Sequence, residues 1–413
     1  MNKNIKLAVA GAIFAAASAA QAGIIIPAGD WTVDLGGNVN AFVSNVDTED
    51  TTAAGVKTRA KDSNTIGTGL LPSALGIGAK TRQNDIDTAI QFTFFTGSSS
   101  GSDGGRNGSA GGNNSLNIRQ AFLTFGDKSW GTFKLGRDLG IFGSDAILSD
   151  MTLLGVGIGG APGGSSTLGR IGSGYIYADW KGQVSYASPN FNGFQITVGA
   201  MENFGRANQA QKDLSYEAKA TYDFAASDVN GRIWVSGLTQ KSEGLDAVTA
   251  VTGTLPTNGV AGANAVTGIT AGNSYTSNGV DVGAKLTAGP ATLVGYYYDG
   301  KGLDGQAARA GGLFNDNGVK SDDDGGYVQG TFVVPGIGTK LGASWGRSNS
   351  KHTASAFDIE NESWIVGAYH PLTKHLNLVA EYVDNEIKNK AATGTQSAKA
   401  ERDTVSLGAI LFF

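Results

Sequence analysis

The stretch TVSLGAILFF, residues 404–413, gives the strongest indication of the fold. Successive side chains in a β-strand point to opposite faces, so alternate residues here share one apolar face. That face consists of Val405, Leu407, Ala409, Leu411 and Phe413. An apolar face that ends on an aromatic residue can lie against lipid in a membrane barrel. An edge strand of a secreted sandwich would alternate in the same way, so this segment alone leaves both architectures open.

The same period-two pattern recurs along the chain. It is clearest in DLSYEAKATYDF, residues 213–224, where one face is apolar with aromatic ends and the other is charged. Counting such segments predicts about sixteen strands, although boundaries read from one sequence drift by several residues. A barrel of that size can hold an aqueous lumen, whereas an eight-stranded barrel would be filled by its own side chains.

Composition excludes several other architectures. The chain contains 63 Gly and only 8 Pro, which fits many strands with glycine-rich turns better than a collagen-like or Pro-rich disordered chain. It has no Cys, so disulfide scaffolds, thiol catalysis and Cys-based zinc sites are excluded. The formal net charge of −5 gives no reason to expect nucleic acid as a partner.

Residues 1–22 predict a secretory signal peptide. Two lysines precede an apolar, Ala-rich stretch, and the triplet Ala20-Gln21-Ala22 has the small-x-small pattern of a cleavage site. We expect cleavage before Gly23, export, and a mature domain of residues 23–413. A transmembrane anchor is disfavoured because the apolar stretch is short and lacks a stop-transfer flank.

Connector lengths favour a barrel over a sandwich. Short turns such as 126–131 and 335–339 alternate with long polar stretches, expected as loops, such as 45–66, 96–116 and 241–275. Outer-membrane barrels have brief periplasmic turns and longer extracellular loops. The sequence therefore predicts an all-β, transmembrane antiparallel β-barrel in the outer membrane of a Gram-negative bacterium.

One connector, from about residue 138 to residue 171, does not fit this scheme, and here the chain resembles the general trimeric porins of Gram-negative bacteria. GTFKLGRDLG (131–140) is similar to the family's strand that ends in Gly-Arg before the third extracellular loop. SDAILSDM (144–151) is similar to the short helix at the start of that loop. Further similar segments, VDLGGNVNAFV, NIRQAFLTFG, SYASPNFNGFQ and VSLGAILFF, extend the resemblance over most of the mature chain.

The resemblance implies a function and a set of partners. A porin of this family is a homotrimer through which small hydrophilic solutes and ions diffuse passively, and its third extracellular loop folds into the lumen to form a constriction at about 138–171. It needs no cofactor. Its expected partners are outer-membrane lipid, lipopolysaccharide and the assembly machinery that reads the C-terminal strand ending in Phe413. The Gly/Ser-rich stretch 96–116 stands where the family has the loop that latches a neighbouring subunit.

Charged side chains at a constriction decide which ions pass. By position, Arg137 matches the family's wall arginine before the loop, and Arg170 matches one shortly after it. Arg119 is expected to face inward, opposite in phase to Phe122. The complete set of candidate constriction residues is Arg137, Arg170, Arg119, Lys134, Asp145 and Asp150. Each could also be an ordinary solvated lumen charge, and Asp150 could equally cap or pair locally.

Two departures from the family pattern bear on selectivity. Asn38 and Ala74 stand where the first two strands would supply basic residues, and the loop tip 153–169 has no carboxylate. These departures predict weak selectivity with a lean toward anions. Apolar loop residues such as Val156 and Ile158 either pack against the barrel wall or line a slot for a less polar solute.

An alternative function is a substrate-specific channel with a binding site for one small solute. An enzyme is disfavoured because none of the three histidines, His352, His370 and His375, stands in a metal-binding or H-E-x-x-H pattern. The acidic run 322–324 lacks the remaining spacing of a calcium loop, so no metal site is expected.

Overall fold

A computed structural model shows how the strands assemble. It describes residues 23–52, 55–97, 116–159, 166–203, 209–211, 213–244, 274–303, 315–316, 319–352, 357–389 and 398–413. The predicted signal peptide and nearly all of the stretch 96–116 lie outside these described residues.

Strands account for most of the described chain. They are β1 (Ile24–Ala28), β2 (Trp31–Thr51), β3 (Lys57–Gly67), β4 (Ser73–Gln83), β5 (Ile86–Thr96), β6 (Asn117–Asp127), β7 (Gly131–Leu139), β8 (Trp180–Ala187), β9 (Phe194–Met201), β10 (Gln209–Gln211), β11 (Ser215–Ala226), β12 (Val229–Gly244), β13 (Ser274–Ala288), β14 (Ala291–Lys301), β15 (Asn315–Asp316), β16 (Val319–Lys320), β17 (Asp322–Val333), β18 (Lys340–His352), β19 (Phe357–Pro371), β20 (Leu376–Asn389) and β21 (Ala398–Phe412). One short helix, α1 (Ser144–Ser149), and a 3-10 turn at Met151–Leu154 follow β7.

Sixteen strands form a closed antiparallel barrel, as the sequence predicts. They are β2, β4–β9, β11–β14 and β17–β21. The barrel closes where β21 pairs with β2, from Asn38↔Phe412 to Thr51↔Lys399. Beyond this ladder, Gly37 N donates to Phe413 O at 3.0 Å, and Phe413 N donates to Gly37 O at 3.1 Å. Closure leaves no unpaired edge along this seam, which a strand in lipid requires.

The period-two alternation separates an outer from an inner face. In β21, Val405 and Leu407 are exposed while Thr404 and Ser406 are buried. An apolar exposed set and a polar buried set are the arrangement of a barrel that faces lipid outside and polar groups inside. We use "inward" below for residues in phase with the buried set of their strand.

The first hairpin is longer than the sequence indicates. The polar stretch 45–66, expected as a loop, is largely strand, because β2 continues to Thr51 and β3 begins at Lys57. The residues of the stretch 45–66 alternate little between polar and apolar, so period-two alternation does not predict a strand there. β3 pairs with the second half of β2, and β4 pairs with the first half of β2. Residues 68–72 form an insertion that connects β3 to β4.

Candidate pore constriction

The long connector between β7 and β8, residues 140–179, is the candidate site; its residues 160–165 lie outside the described chain. Gly143 precedes α1 with φ +73°, a left-handed conformation that glycine adopts without strain. Asp150 ends α1 in an extended conformation, and its side chain accepts a hydrogen bond from Thr152 N at 2.9 Å. Asp150 therefore caps the 3-10 turn, one of the two local roles that the sequence left open for it.

Two inward carboxylates hold the start of the connector. Glu217 Oε2 on β11 accepts from Ile141 N at 2.7 Å and from Phe142 N at 2.8 Å. Asp281 Oδ2 on β13 accepts from Gly143 N at 3.1 Å. Backbone N–H groups of an irregular segment need partners when they are buried, and the barrel wall supplies them here.

Two further wall residues hold the middle of the connector. Gln329 Oε1 on β17 accepts from Met151 N at 2.8 Å. Glu381 Oε2 on β20 accepts from Val156 N at 2.7 Å and from Gly157 N at 2.8 Å. These wall acceptors were not among the residues expected from the sequence, although each is a polar residue in the inward phase of a predicted strand.

Apolar packing joins the connector to the same wall. Its buried apolar residues belong to one cluster with inward aromatic residues of the barrel. The connector contributes Phe142, Ala146, Ile147, Met151, Val156, Ile158, Leu168, Ile171, Tyr175 and Ile176, and the wall contributes Trp234, Tyr296, Tyr298, Tyr327 and Tyr369 among others. Val156 and Ile158 are thus packed in protein, which is the first of the two interpretations of these residues.

Arg170 lies wholly within this packing. Its side chain is 0% exposed, and burial lowers its pKa to about 10, so the guanidinium stays charged at neutral pH. Arg170 Nε donates to Ser344 Oγ at 2.6 Å, and Arg170 Nη1 donates to Ser363 Oγ at 2.9 Å. Asp150 lies close enough to act as its counter-charge. The geometry gives Arg170 an anchoring position between the connector and strands β18 and β19.

Asp145 on α1 forms the main charged contact between connector and wall. Its carboxylate accepts from Lys219 Nζ at 2.5 Å and from Arg232 Nη1 at 3.1 Å. Burial opposes ionisation of Asp145, but these two cations outweigh burial and lower its pKa. Arg232 Nε also donates to Asp223 at 2.7 Å. Lys219 and Arg232 were missed in the sequence because they lie 74 and 87 residues from Asp145.

Lys134 faces inward on β7. It forms an ion pair with Asp138, and its ammonium lies 4.9 Å from the centroid of the Phe122 ring. Asp138 also accepts from Gln120 Nε2 at 2.8 Å. The charge of Lys134 is therefore balanced locally, and Lys134 does not contact the connector among the described residues.

Arg119 lies at an irregularity that changes the phase of β6. The β5–β6 register shifts between Thr93 and Phe94, which leaves Arg119 without a partner in the ladder. Its guanidinium carbon lies 4.9 Å from the centroid of the buried Phe95 ring. Phe122 is also buried, so the expectation that Arg119 and Phe122 point to opposite sides is wrong. A β-bulge adds one residue to one strand and reverses the alternation beyond it.

Arg137 lies within electrostatic reach of Arg119 and of Asp179 at the end of the connector, and its Nε is buried. In the register it lies opposite Ala121 and Gly182, and it is in phase with the exposed Phe133. Within the described residues it forms no hydrogen bond to the connector. Its place at the constriction stays a prediction.

Asn38 and Ala74, the positions where the family pattern would supply basic residues, are both buried in the inward set. Asn38 Oδ1 accepts from Asn40 Nδ2 at 2.8 Å. This part of the wall therefore carries amide groups instead of charges.

Among the described residues, no group of His, Cys, Asp and Glu is arranged to hold a metal ion. The described helical segment is too short to cross a membrane.

A closed barrel of sixteen strands with an apolar outer face, a polar inner face and a long connector bonded to the wall defines an outer-membrane channel protein. A family model of Gram-negative porins matches residues 7–390, so the chain belongs to the Gram-negative porin family. It is accordingly a channel and not an enzyme, and it resides in the outer membrane.

Solved structures of low sequence identity share the fold. The outer membrane channel DcaP of Acinetobacter baumannii is 16% identical with a TM-score of 0.63, and the match covers 95% of this chain and 100% of that one. An anion-selective porin from Comamonas acidovorans is 16% identical with a TM-score of 0.58, covering 93% and 100%. A trimer form of OmpT from Vibrio cholerae is 17% identical with a TM-score of 0.56, covering 93% and 99%. No curated protein sequence matches the chain.

Proposed function

We propose that this porin is a homotrimeric diffusion pore for small hydrophilic solutes and ions, with a weak preference for anions. The connector 140–179 folds into the lumen of each barrel and narrows it. The observation that carries this proposal is the set of bonds from connector backbone to inward side chains. Those acceptors are Glu217, Asp281, Gln329 and Glu381, on four different strands.

The distribution of charge supports the preference for anions. Glu217 forms an ion pair with Lys181 at 2.6 Å, and Glu217, Asp281 and Glu381 are all buried where they accept connector N–H groups, so none of these three carboxylates is exposed. Inward Lys285, by contrast, is exposed and forms no hydrogen bond or ion pair with the described residues. Fixed charges that line a narrow passage determine which ions find it favourable. Uncompensated positive charge favours anions.

Two of the similar structures support the proposed preference for anions and the proposed trimer. One is an anion-selective porin, and another was obtained in trimer form. The expected association with lipid, lipopolysaccharide and the assembly machinery is part of the same proposal, since the outer face is apolar and β21 ends in alternating apolar residues.

Single-channel recording in a planar bilayer under a salt gradient tests the proposal. We expect closure in three equal steps, as three pores in one assembly would give, and a reversal potential on the anion-favouring side. A cation-favouring reversal potential would refute the selectivity, and single-step closure would refute the homotrimer.

Variants of Arg232 and Arg137 test the role of each residue at the constriction separately. Arg232→Gln leaves Asp145 with one cation instead of two, so the reversal potential should move toward cations. Arg137→Ala tests the position inferred from the family resemblance. An unchanged conductance and reversal potential in Arg137→Ala would remove Arg137 from the constriction.

A further inference from the structure

We infer that Leu303 is a positioning residue of the pore, which supports the start of the connector and so limits the size of the solutes that pass. The inference rests on the proposed function, in which the connector 140–179 narrows the lumen. Leu303 follows the end of β14 at Lys301, so this support comes from a connection other than the one between β7 and β8.

The backbone around Leu303 turns into the barrel and is held there by hydrogen bonds. Gly302 has φ +70°, a left-handed conformation that glycine adopts without strain, and its carbonyl accepts from Ser277 Oγ on β13 at 2.7 Å. Leu303 N donates to Asp323 Oδ2 on β17 at 2.8 Å. Asp323 is buried and also accepts from Ser350 Oγ on β18 at 2.7 Å. Strands β13, β17 and β18 therefore fix the position from which the Leu303 side chain projects.

Two glycines that face each other leave room for this side chain on the inner wall. Gly279 on β13 and Gly300 on β14 are partners in the strand register, and each is in the inward phase of its strand. A Cβ at Gly279 would lie 2.8 Å from Leu303 Cδ1, and a Cβ at Gly300 would overlap the same atom. Glycine inside a strand often marks such a close approach. Leu303 is 0% exposed and fills the recess over the two glycines.

Phe142 of the connector lies over the same recess. A Cβ at Gly279 would lie 3.1 Å from Phe142 Cζ, as well as close to Leu303. Phe142 and Leu303 are both buried and belong to one apolar cluster. The backbone of Phe142 is bonded to Glu217, so Phe142 lies where the connector begins. Leu303 therefore stands beside the Phe142 ring and limits the movement of that ring along the wall.

Loss of the Leu303 side chain should change permeation as well as stability. A truncated core residue leaves a cavity, and the neighbouring groups relax into it only in part. Phe142 is the neighbour that belongs to the connector, so its ring should move into the vacated recess and draw the start of the connector toward the wall. The lumen would then be wider. A residue that served stability alone would leave permeation unchanged.

The test compares the swelling rates of proteoliposomes that contain the whole protein in sugars of increasing size. In Leu303→Ala the rate in raffinose relative to arabinose should rise above the wild-type ratio. Leu303→Met has a similar side-chain volume and should retain the wild-type ratio. Leu303→Val should give a smaller rise in the same direction, and it replaces Leu303→Ala if that variant does not fold. The midpoint of urea unfolding in detergent measures the stability of each variant in parallel.

Ile359→Ala is the matched control, because Ile359 is buried with Ile387 in a cluster separate from that of the connector. It should lower the midpoint of urea unfolding without changing the swelling ratio. In Gly279→Ala/Leu303→Ala the added methyl group lies beside Phe142 in the vacated recess, so the ratio should return toward that of wild type.

Unchanged ratios in Leu303→Ala and Leu303→Val would overturn the positioning role, and so would an equal rise in Ile359→Ala. A double variant with the same ratio as Leu303→Ala would also contradict it. Wild-type proteoliposomes that swell no faster than protein-free vesicles would instead refute the proposed pore function.

Discussion

At the scale of single residues, the structure separates two kinds of charge. Arg170 is buried and bonded to Ser344 and Ser363, whereas Lys285 is exposed and unpaired among the described residues. Removing the partners of a buried charge strongly destabilises the folded protein. An exposed charge in the lumen instead attracts or repels the solutes that pass it. Family resemblance placed Arg170 among the residues that screen ions, but its burial suits a structural role.

Arg170→Met should destabilise the folded barrel. The substitution removes the hydrogen bonds to Ser344 and Ser363 and leaves Asp150 without its nearby cation, a loss of about 3–5 kcal/mol by comparison with other broken buried pairs. The midpoint of urea unfolding in detergent, followed by tryptophan fluorescence, measures the effect.

Arg82→Met provides the control for this measurement. Arg82 is half-exposed and pairs with Asp87 and Asp127 near a short turn, where an exposed ion pair contributes little to stability. If both variants shifted the unfolding midpoint equally, the anchoring role of Arg170 would be wrong.

At the scale of elements, the connector is held by side chains from the barrel and by the insertion 68–72. Leu70 N donates to Gly155 O at 2.9 Å, and Thr167 N donates to Gly69 O at 3.2 Å. The insertion therefore supports the connector from the first strands, while Glu381 supports it from β20. Under the proposed function, in which the connector narrows the pore, the width of the pore depends on these contacts being made together.

Gly69→Ala should reduce the conductance. A Cβ at residue 69 would lie 2.0 Å from Gly155 O and 2.9 Å from the Phe42 ring, so the connector must move away from the wall toward the lumen. Gly67→Ala is the matched control, since a Cβ there meets no atom within 4 Å. Single-channel conductance in molar salt compares the two, and a normal conductance in Gly69→Ala would contradict the prediction.

Glu381→Gln should make the open current noisier. The substitution keeps the shape of the side chain but replaces charge-assisted hydrogen bonds to Val156 N and Gly157 N with weaker neutral ones. We expect more frequent brief closures in recordings at constant voltage. Glu202→Gln, at an exposed side chain bonded only to Gly182 N among the described residues, should leave the noise unchanged.

At the scale of the whole molecule, closure between β2 and β21 joins the two ends of the barrel. The ladder runs over fourteen residue pairs and ends with the reciprocal backbone bonds of Gly37 and Phe413. A Cβ at residue 37 would lie 2.9 Å from the Phe413 ring, so glycine allows the terminal aromatic to lie against the first strand.

Deletion of Phe413 should lower the yield of folded barrel. It removes both backbone bonds to Gly37 and exposes the end of β21 at the closing seam. The fraction of protein that migrates as a folded species on an unheated gel reports the effect. Phe413→Tyr retains the backbone bonds and the ring, so its folded fraction should match wild type.

The sequence by itself determined the barrel. Period-two alternation is a local property of each strand, and it shows which face of β21 or β11 meets lipid without knowledge of the neighbours. Glycine-rich turns and an apolar C-terminal strand then indicate the class of membrane protein. Within the described strands, alternation failed at the bulge beside Arg119 and in the polar second half of β2.

Only the tertiary structure decided the site. Asp145 meets Lys219 and Arg232, and Glu381 meets Val156, across 74, 87 and 225 residues of chain. No pattern of fixed spacing encodes such contacts, because they depend on where the connector crosses the wall. The same packing buries Arg170 and leaves Lys285 exposed, although both are simply basic residues in the sequence. Local chemistry fixes which face a side chain takes, and the path of the chain fixes which partner it finds.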